Sequence, residues 1–400
     1  MKNSKPSIAS YAPSVAVILA GTALLFFMLW FRLGSLTHGN AADIEAATRA
    51  AAGSWQSIWD NPLNAPYTVM QHLVSMSGHH GITSLRLIGT LWAAVAAALF
   101  YLVARQWHNM RVAILASWLF ISSGWFLHIA RLGSPEILWL TSLLALVVLL
   151  TPNKRGRQSS LALPSTLIVL STILYVPGMV WLVLAGIITQ RKNLREAWVA
   201  TEAGWLRLLS IVASLAVVGP LVHALVASPA VLKQWLGITA GSDSSMLSVS
   251  SIIHNFLDVP RSLLLSSSFD AAHWLGHLPL LSAFEIVMLL LGTYFYITHI
   301  RATRTRLIIV LTAVAWGLIS IMGINAITLV VPVIYLLVAA GIAYILHAWL
   351  KVFPNNPVAR SLGIGIIMCT VLLTSVYQTR SYFVAWRYDT ATIQAFHTRL

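Results

Sequence analysis

Long apolar runs alternating with short basic clusters constrain this chain more than any single motif. The runs lie at Pro13–Phe31, Ser84–Val103, Val112–His128, Ile137–Leu150, Leu161–Ile188, Leu206–Val226, Leu278–Ile300, Leu307–Met322, Ile327–Leu350 and Ser361–Tyr377. About 20 mostly apolar residues cross a bilayer as a helix, so these are candidate membrane spans. Only 9% of the 400 residues are charged, against roughly 25% in an average soluble domain. That is too few to wrap the core of a soluble enzyme in polar surface. The single Cys369 excludes a disulfide scaffold, and an apolar content of 58% excludes a disordered chain. The chain reads as an all-α polytopic membrane protein.

The stretch Leu161–Ile188 decides the number of spans. As one helix it would put Arg191, Lys192 and Arg195 across the membrane from Lys154, Arg155 and Arg157. As two short helices joined at Tyr175-Val176-Pro177-Gly178, it puts both clusters on the same side. Pro177 disfavours a continuous helix, Gly178 suits a turn, and the positive-inside rule selects the hairpin. About eleven transmembrane helices (10–12) follow, with the N-terminus cytoplasmic and the C-terminus extracytoplasmic. The first span ends at Arg32-Leu33-Gly34-Ser35 with no clear small-x-small site, so it reads as a retained anchor. The net charge of +14 then sorts by side. Sixteen basic residues lie inside with only Glu196 and Glu202, whereas nine outer basic residues face nine acids. The excess sets orientation in the plasma membrane, and nucleic acid is not needed as a partner.

Two long outer loops, Leu33–Thr83 and Ala227–His277, interrupt the spans; loops this long are usually functional or disordered. The first, rich in Trp, Pro, Asn and His, is expected to carry short interfacial helices. The second is Ser-rich, with an interfacial helix expected around Ile252–Leu265. Three parts result: 1–230, a transmembrane module that includes loop 33–83; 231–277, the second loop; and 278–400, C-terminal spans with a short outer tail.

Asp43-Ile44-Glu45 stands shortly beyond the first span. On a helix these carboxylates diverge by about 200°, so only one faces a given site. Such a group can act as general base on an acceptor hydroxyl, hold a divalent cation (Mg or Mn), or favour the first turn of a helix. Asn61-Pro62-Leu63-Asn64-Ala65-Pro66-Tyr67 is turn-rich. His79 and His80 can bind a metal or a phosphate, or serve as interfacial polar residues. Arg86, in the first turn of its span, and Arg131, directly after the third, either snorkel or offer a planar fork to a phosphate. Gly133-Ser134-Pro135 brings Glu136 to the same edge as Arg131, where the two can also form a plain surface pair. Glu285 is either functional or a hydrogen-bonded structural group. Gly363-Ile364-Gly365 reads as close helix packing. No Walker loop, G-x-S-x-G or cytosol-facing D-x-D is present, so a cytosolic nucleotide sugar is not the expected donor.

The order of these features resembles the GT-C glycosyltransferases, in particular the branch of protein O-mannosyltransferases and lipid A aminoarabinose transferases. His80-Gly81-Ile82-Thr83-Ser84-Leu85-Arg86-Leu87 is similar to the family's segment opening the second span, and Tyr101-Leu102-Val103-Ala104-Arg105 to its end. Ser122-Ser123-Gly124-Trp125-Phe126-Leu127-His128-Ile129-Ala130-Arg131 with Glu136 resembles the third span and its following turn. Tyr175–Gly178 sits where the family has a hairpin. The likeness covers the first half of the chain; beyond it only the hydropathy pattern matches.

The resemblance implies a GT-C-like fold with 1–230 as catalytic module. It also implies an enzyme of the EC 2.4 class, moving a sugar with inversion from a polyprenyl-phosphate carrier on the extracytoplasmic face. Carried onto matching positions, Asp43 is the general base, while Glu45, Arg131 and Glu136 shape the donor site with Arg86 in support. Pro66, Tyr67, His79, His80 and Tyr175 complete the substrate-binding set. The implied partners are a polyprenyl-phosphate sugar, membrane lipid, and an acceptor that is a glycan, lipid or protein. Three departures stand out: Ile44 separates the carboxylates, Tyr175–Gly178 lacks the family's lysine, and Asn325-Ala326-Ile327-Thr328 lacks its basic residue and tyrosine. They leave open Asp43 versus Glu45 as base, and a non-catalytic binder or assembly partner for lipid-linked sugars. A transporter or flippase fits less well, because the polar residues gather at one membrane edge rather than the midplane.

Overall fold

A computed structural model describes residues 12–33, 54–78, 81–151, 162–200, 204–238, 248–266, 274 and 278–396. Every regular element among them is helical. α1 (Ala12–Trp30) is followed, in the first loop, by α2 (Trp55–Asp60) and α3 (Ala65–Met76). Next come α4 (Ile82–Trp107), α5 (Met110–Ser122), α6 (Gly124–Arg131) and α7 (Ile137–Leu150). α8 (Ala162–Ile173) and α9 (Met179–Thr189) are the halves of the broken stretch, and α10 (Arg191–Ala200) precedes α11 (Gly204–Ala227). The second loop holds α12 (Pro229–Trp235) and α13 (Val249–Leu264), the latter where an interfacial helix was expected. α14 (Ala283–Thr298), α15 (Thr303–Met322), α16 (Val331–Val352) and α17 (Pro357–Arg380) follow. A 3-10 turn, Ile324–Leu329, joins α15 to α16, and a π-turn, Ser381–Trp386, carries α17 toward α18 (Thr390–Ala395).

Five of these segments are long and apolar enough to cross a membrane: α4, α11, α15, α16 and Pro357–Trp386. The pair α5–α6, bent by 58°, makes a sixth. The rest of the expected eleven are α1, of 19 residues, and the shorter apolar helices Ile137–Leu150, Leu163–Ile173, Met179–Thr189 and Ala283–Thr298. Each is shorter than the ~20 residues of a typical span. Six spans are therefore qualified by length and composition among the described residues.

The break at Tyr175–Gly178 is present. Gly178 has φ 76°, a left-handed conformation open to glycine without a Cβ clash. Its N–H donates to Trp235 O at 2.9 Å, Asn64 N–H donates to Tyr175 O at 2.8 Å, and Trp139 Nε1 donates to Pro177 O at 3.1 Å. The hairpin tip is thereby tied to the first loop, to α12 and to α7. The third apolar run differs from expectation: the single span Val112–His128 is broken at Ser123. The Ser123 hydroxyl accepts from Phe126 N at 3.3 Å, capping α6, while Gly124 leaves room for the Trp274 indole.

Two glycines set the closest helix contact. A Cβ at Gly292 would run into Leu337 O, and one at Gly341 into Met288 O, so α14 and α16 meet backbone to backbone. Glu285, 0% exposed, closes a capping box with Ser282, whose N–H donates to Oε2 at 2.7 Å. Tyr335 of α16 donates to Oε1 at 2.7 Å, and Gln378 of α17 to Oε2 at 3.0 Å. The hydrogen-bonded reading of Glu285 is the one realised. Gly363 packs against the Trp349 indole, as close packing requires, whereas Gly365 faces open space.

Gly341→Ala is expected to cost about 1–3 kcal/mol through overpacking, lowering the unfolding midpoint in detergent. Gly365→Ala should leave that midpoint nearly unchanged. Equal shifts in scanning fluorimetry would refute the close approach.

Candidate functional site

The arginine site is built on the end of α1. Arg32 takes a left-handed φ of 53°, turning the chain just past the helix. The last carbonyls of a helix are unpaired within it and carry partial negative charge. Here Phe31 O accepts from Arg131 Nη2 at 2.7 Å, and Leu33 O from Arg86 Nη1 at 3.4 Å. Both arginines are buried, at 3% exposure for Arg86 and 7% for Arg131. The Arg131 guanidinium also lies 4.8 Å from the Phe383 ring and 5.4 Å from the Tyr382 ring. Its Nε and Nη1 are buried without a hydrogen-bond partner among the described residues.

Arg86, Arg131 and Arg387 line one narrow cavity of about 30 Å³, with His128, Tyr382 and Trp386 among its other walls and no acid among the described lining. Arg86 and Arg387 are close enough to repel the Arg131 charge. Cations gathered beside aromatic walls favour an anion, and a guanidinium fork suits a phosphate.

Half of this cavity is built by residues after Tyr377, beyond the last apolar run. Tyr382 and Trp386 stack at 5.3 Å, His128 meets Trp386 edge-on at 4.9 Å, and Phe396 meets Trp386 at 5.5 Å. Asp389 accepts from Thr392 N at 3.2 Å, starting α18, which places Phe396 5.9 Å from the Arg86 guanidinium. The run Tyr382-Phe383-Val384-Ala385-Trp386-Arg387-Tyr388, followed by an Asp N-cap, was the available signal.

The other expected site residues land elsewhere. Asp43, Glu45, His79 and His80 lie outside the described residues. Pro66 is half-buried in the first turn of α3, after Asn64 at φ 59°. Tyr67 is buried in the main core, and its hydroxyl lies 3.8 Å from where a Gly89 Cβ would sit. Tyr175 donates to Val217 O and packs with Leu63, Leu221 and Val231. None of the three is among the described lining of the arginine cavity. The turn at Gly133, φ 79°, does not pair Arg131 with Glu136: the arginine points to Phe31 and the tail rings. Glu136 sits in the turn between α6 and α7, where burial pushes its carboxyl up to about 7. No group of three His, Cys, Asp or Glu side chains is gathered for a metal among the described residues.

This arrangement of helices is a fold shared with a solved oligosaccharyltransferase. The chain is similar to the Archaeoglobus fulgidus oligosaccharyltransferase, solved with a tethered acceptor peptide containing the NVT sequon, at 13% identity and a TM-score of 0.52. The match covers 96% of this chain and 55% of that one, so the chain spans about half the length of that relative. ArnT from Cupriavidus metallidurans aligns at 12% identity and TM-score 0.49 in the apo state, over 97% of this chain and 75% of ArnT. Bound to undecaprenyl phosphate, it aligns at 14% and 0.48, over 97% and 74%. At such identities the likeness is one of fold. No protein-family model and no curated protein sequence matches the chain.

The raised Glu136 carboxyl has a stability consequence. Below its ordinary value of 4.5 the group is protonated in folded and unfolded chains alike and costs nothing. From there to about 7 the unfolded chain ionises first, so the folded state loses stability as pH rises, and the loss levels off above 7. Glu136→Gln should therefore gain on the parent between pH 5 and pH 8, by about 2–3 kcal/mol. Unfolding midpoints at the two pH values test this; a constant difference would contradict it.

Proposed function

We propose that the chain is a lipid-linked-sugar glycosyltransferase, in which the arginine cavity takes the phosphate of a polyprenyl-phosphate donor. The observation that carries this reading is Arg131, a buried guanidinium with two N–H-bearing nitrogens unpartnered among the described residues, beside Arg86 and Arg387. The GT-C fold supports a transferase role.

In this reading Asp43 takes the proton of an acceptor hydroxyl, and the freed oxygen attacks the anomeric carbon from the face opposite the phosphate. The bond from that carbon to the phosphate oxygen breaks, and polyprenyl phosphate leaves carrying the electron pair. The anomeric configuration inverts and the proton stays on the carboxylate. A lipid phosphate is a good leaving group, so cations at its oxygens suffice and no covalent intermediate is needed. Glu45 and Glu136 border the sugar, and the first loop, with Pro66, borders the acceptor.

A second reading, binding of lipid-linked sugar without turnover, is favoured by one observation. Neither the hairpin tip Tyr175–Gly178 nor the turn Ile324–Leu329 contributes a cation.

Two variants separate the readings. Arg131→Ala is expected to weaken polyprenyl-phosphate binding about tenfold or more, read as loss of ligand-induced thermal stabilisation. Asp43→Asn should retain that binding and abolish transfer of labelled sugar. Unchanged binding by Arg131→Ala would overturn the phosphate assignment; unchanged transfer by Asp43→Asn would overturn the base.

A further inference from the structure

A second cavity, of about 240 Å³, lies at the far end of the helices that hold the arginine site. Its walls include Gln106 and Trp107 at the end of α4, Thr151 after α7, Gln190 after α9, and Thr303 and Arg304 at the start of α15. Arg86 and Gln106 stand 20 residues apart on α4, about 30 Å along the axis and one hydrocarbon thickness of a bilayer. The two cavities thus sit at opposite ends of a membrane-length helix.

Three features call for an anion. α15 opens at the cavity wall, and its N-cap Ala302 supplies no side-chain cap, so the positive end of a 20-residue helix is left for a ligand. Arg304 adds a guanidinium, held 5.6 Å from the Phe295 ring and 5.9 Å from the Tyr296 ring while donating to Trp107 O at 3.4 Å. Trp107 is 7% exposed, and its Nε1 is buried with no hydrogen-bond partner among the described residues. A buried N–H left unaccepted costs about 1–3 kcal/mol, so this indole asks for an oxygen acceptor in the cavity. No acid is among its described lining.

A fourth feature narrows the ligand. Gln106 Oε1 is likewise buried without a partner among the described residues, and it can only accept. A bare phosphate diester brings acceptors alone; a headgroup that also carries hydroxyls brings the donor Gln106 lacks. The surroundings are basic, with Arg105, Arg301 and Arg306 in the adjoining turns.

We infer that this cavity binds the headgroup of an anionic, hydroxyl-bearing phospholipid, in the leaflet opposite the arginine site. The phosphate oxygens accept from Arg304, the Trp107 indole and the first-turn amides of α15, and a headgroup hydroxyl donates to Gln106. The inference stands on this cavity alone and is independent of the transferase reading.

The test uses the full chain in nanodiscs containing phosphatidylglycerol, phosphatidylmethanol and phosphatidylcholine, followed by mild detergent release and native mass spectrometry. The parent is expected to retain phosphatidylglycerol over both other lipids. Trp107→Phe and Arg304→Gln should each reduce that retention about tenfold, and Gln106→Leu should erase the preference over phosphatidylmethanol. Trp107→Phe keeps an aromatic ring in place, so an unchanged unfolding midpoint shows that its loss of lipid is not misfolding. Equal phosphatidylglycerol retention by the parent and Trp107→Phe, or equal retention of phosphatidylcholine, would overturn the site. Displacement of the lipid by millimolar inorganic phosphate or glycerol phosphate would overturn the lipid as its occupant.

Discussion

A carboxylate with no solvent access must be met by donors on every side, and Glu285 obtains them from three helices. Ser282 caps it within α14, Tyr335 reaches it from α16, and Gln378 from α17. Meeting that demand fixes which way the Gln378 amide faces, because its Nε2 is committed to the carboxylate. Its Oε1 is then turned to accept from Gly124 N at 3.3 Å, at the first residue of α6. Ser122 Oγ donates to Ser375 Oγ at 2.9 Å one turn away. The bend between α5 and α6 is thus held by hydrogen bonds that trace back to one buried carboxyl group. α6 ends in Arg131, so the direction of the arginine site depends on that carboxyl group.

The arginine site uses the complementary logic. Arg131 is a buried cation that meets the Phe31 carbonyl and two aromatic rings. The available compensation is a helix C-terminus and aromatic faces, which stabilise a guanidinium without cancelling its charge. The far cavity repeats the combination, with Arg304 over two rings beside a helix N-terminus. Both of the proposed anion sites thus pair arginine with aromatic faces.

Much of the fold was legible in the sequence because a bilayer is a severe solvent. Apolar runs locate helices whatever their neighbours, and Pro177-Gly178 located the hairpin break by local backbone chemistry alone. Arg86 and Arg131 were legible too, since cations at the edges of apolar runs are few. The break at Ser123 was not: serine and glycine within an apolar run also fit an unbroken, closely packed helix, and the Trp274 indole beside Gly124 decided otherwise. The expected company of Arg131 was likewise misjudged. A five-residue turn suggested Glu136, but the guanidinium turned to Phe31 and Phe383 instead.

The sequence by itself determined that this is a polytopic helical membrane chain, that it turns at Pro177-Gly178, and which cations stand at the edges of its apolar runs. Those properties follow from composition and neighbouring residues. Only the tertiary structure decided what each charge faces. Arg131 meets a carbonyl 100 positions away, Arg304 one 197 away, and Gln378 an amide 254 away. Partners that distant are set by how helices pack, and packing in an apolar solvent turns on small residues and a few buried hydrogen bonds, not on hydropathy.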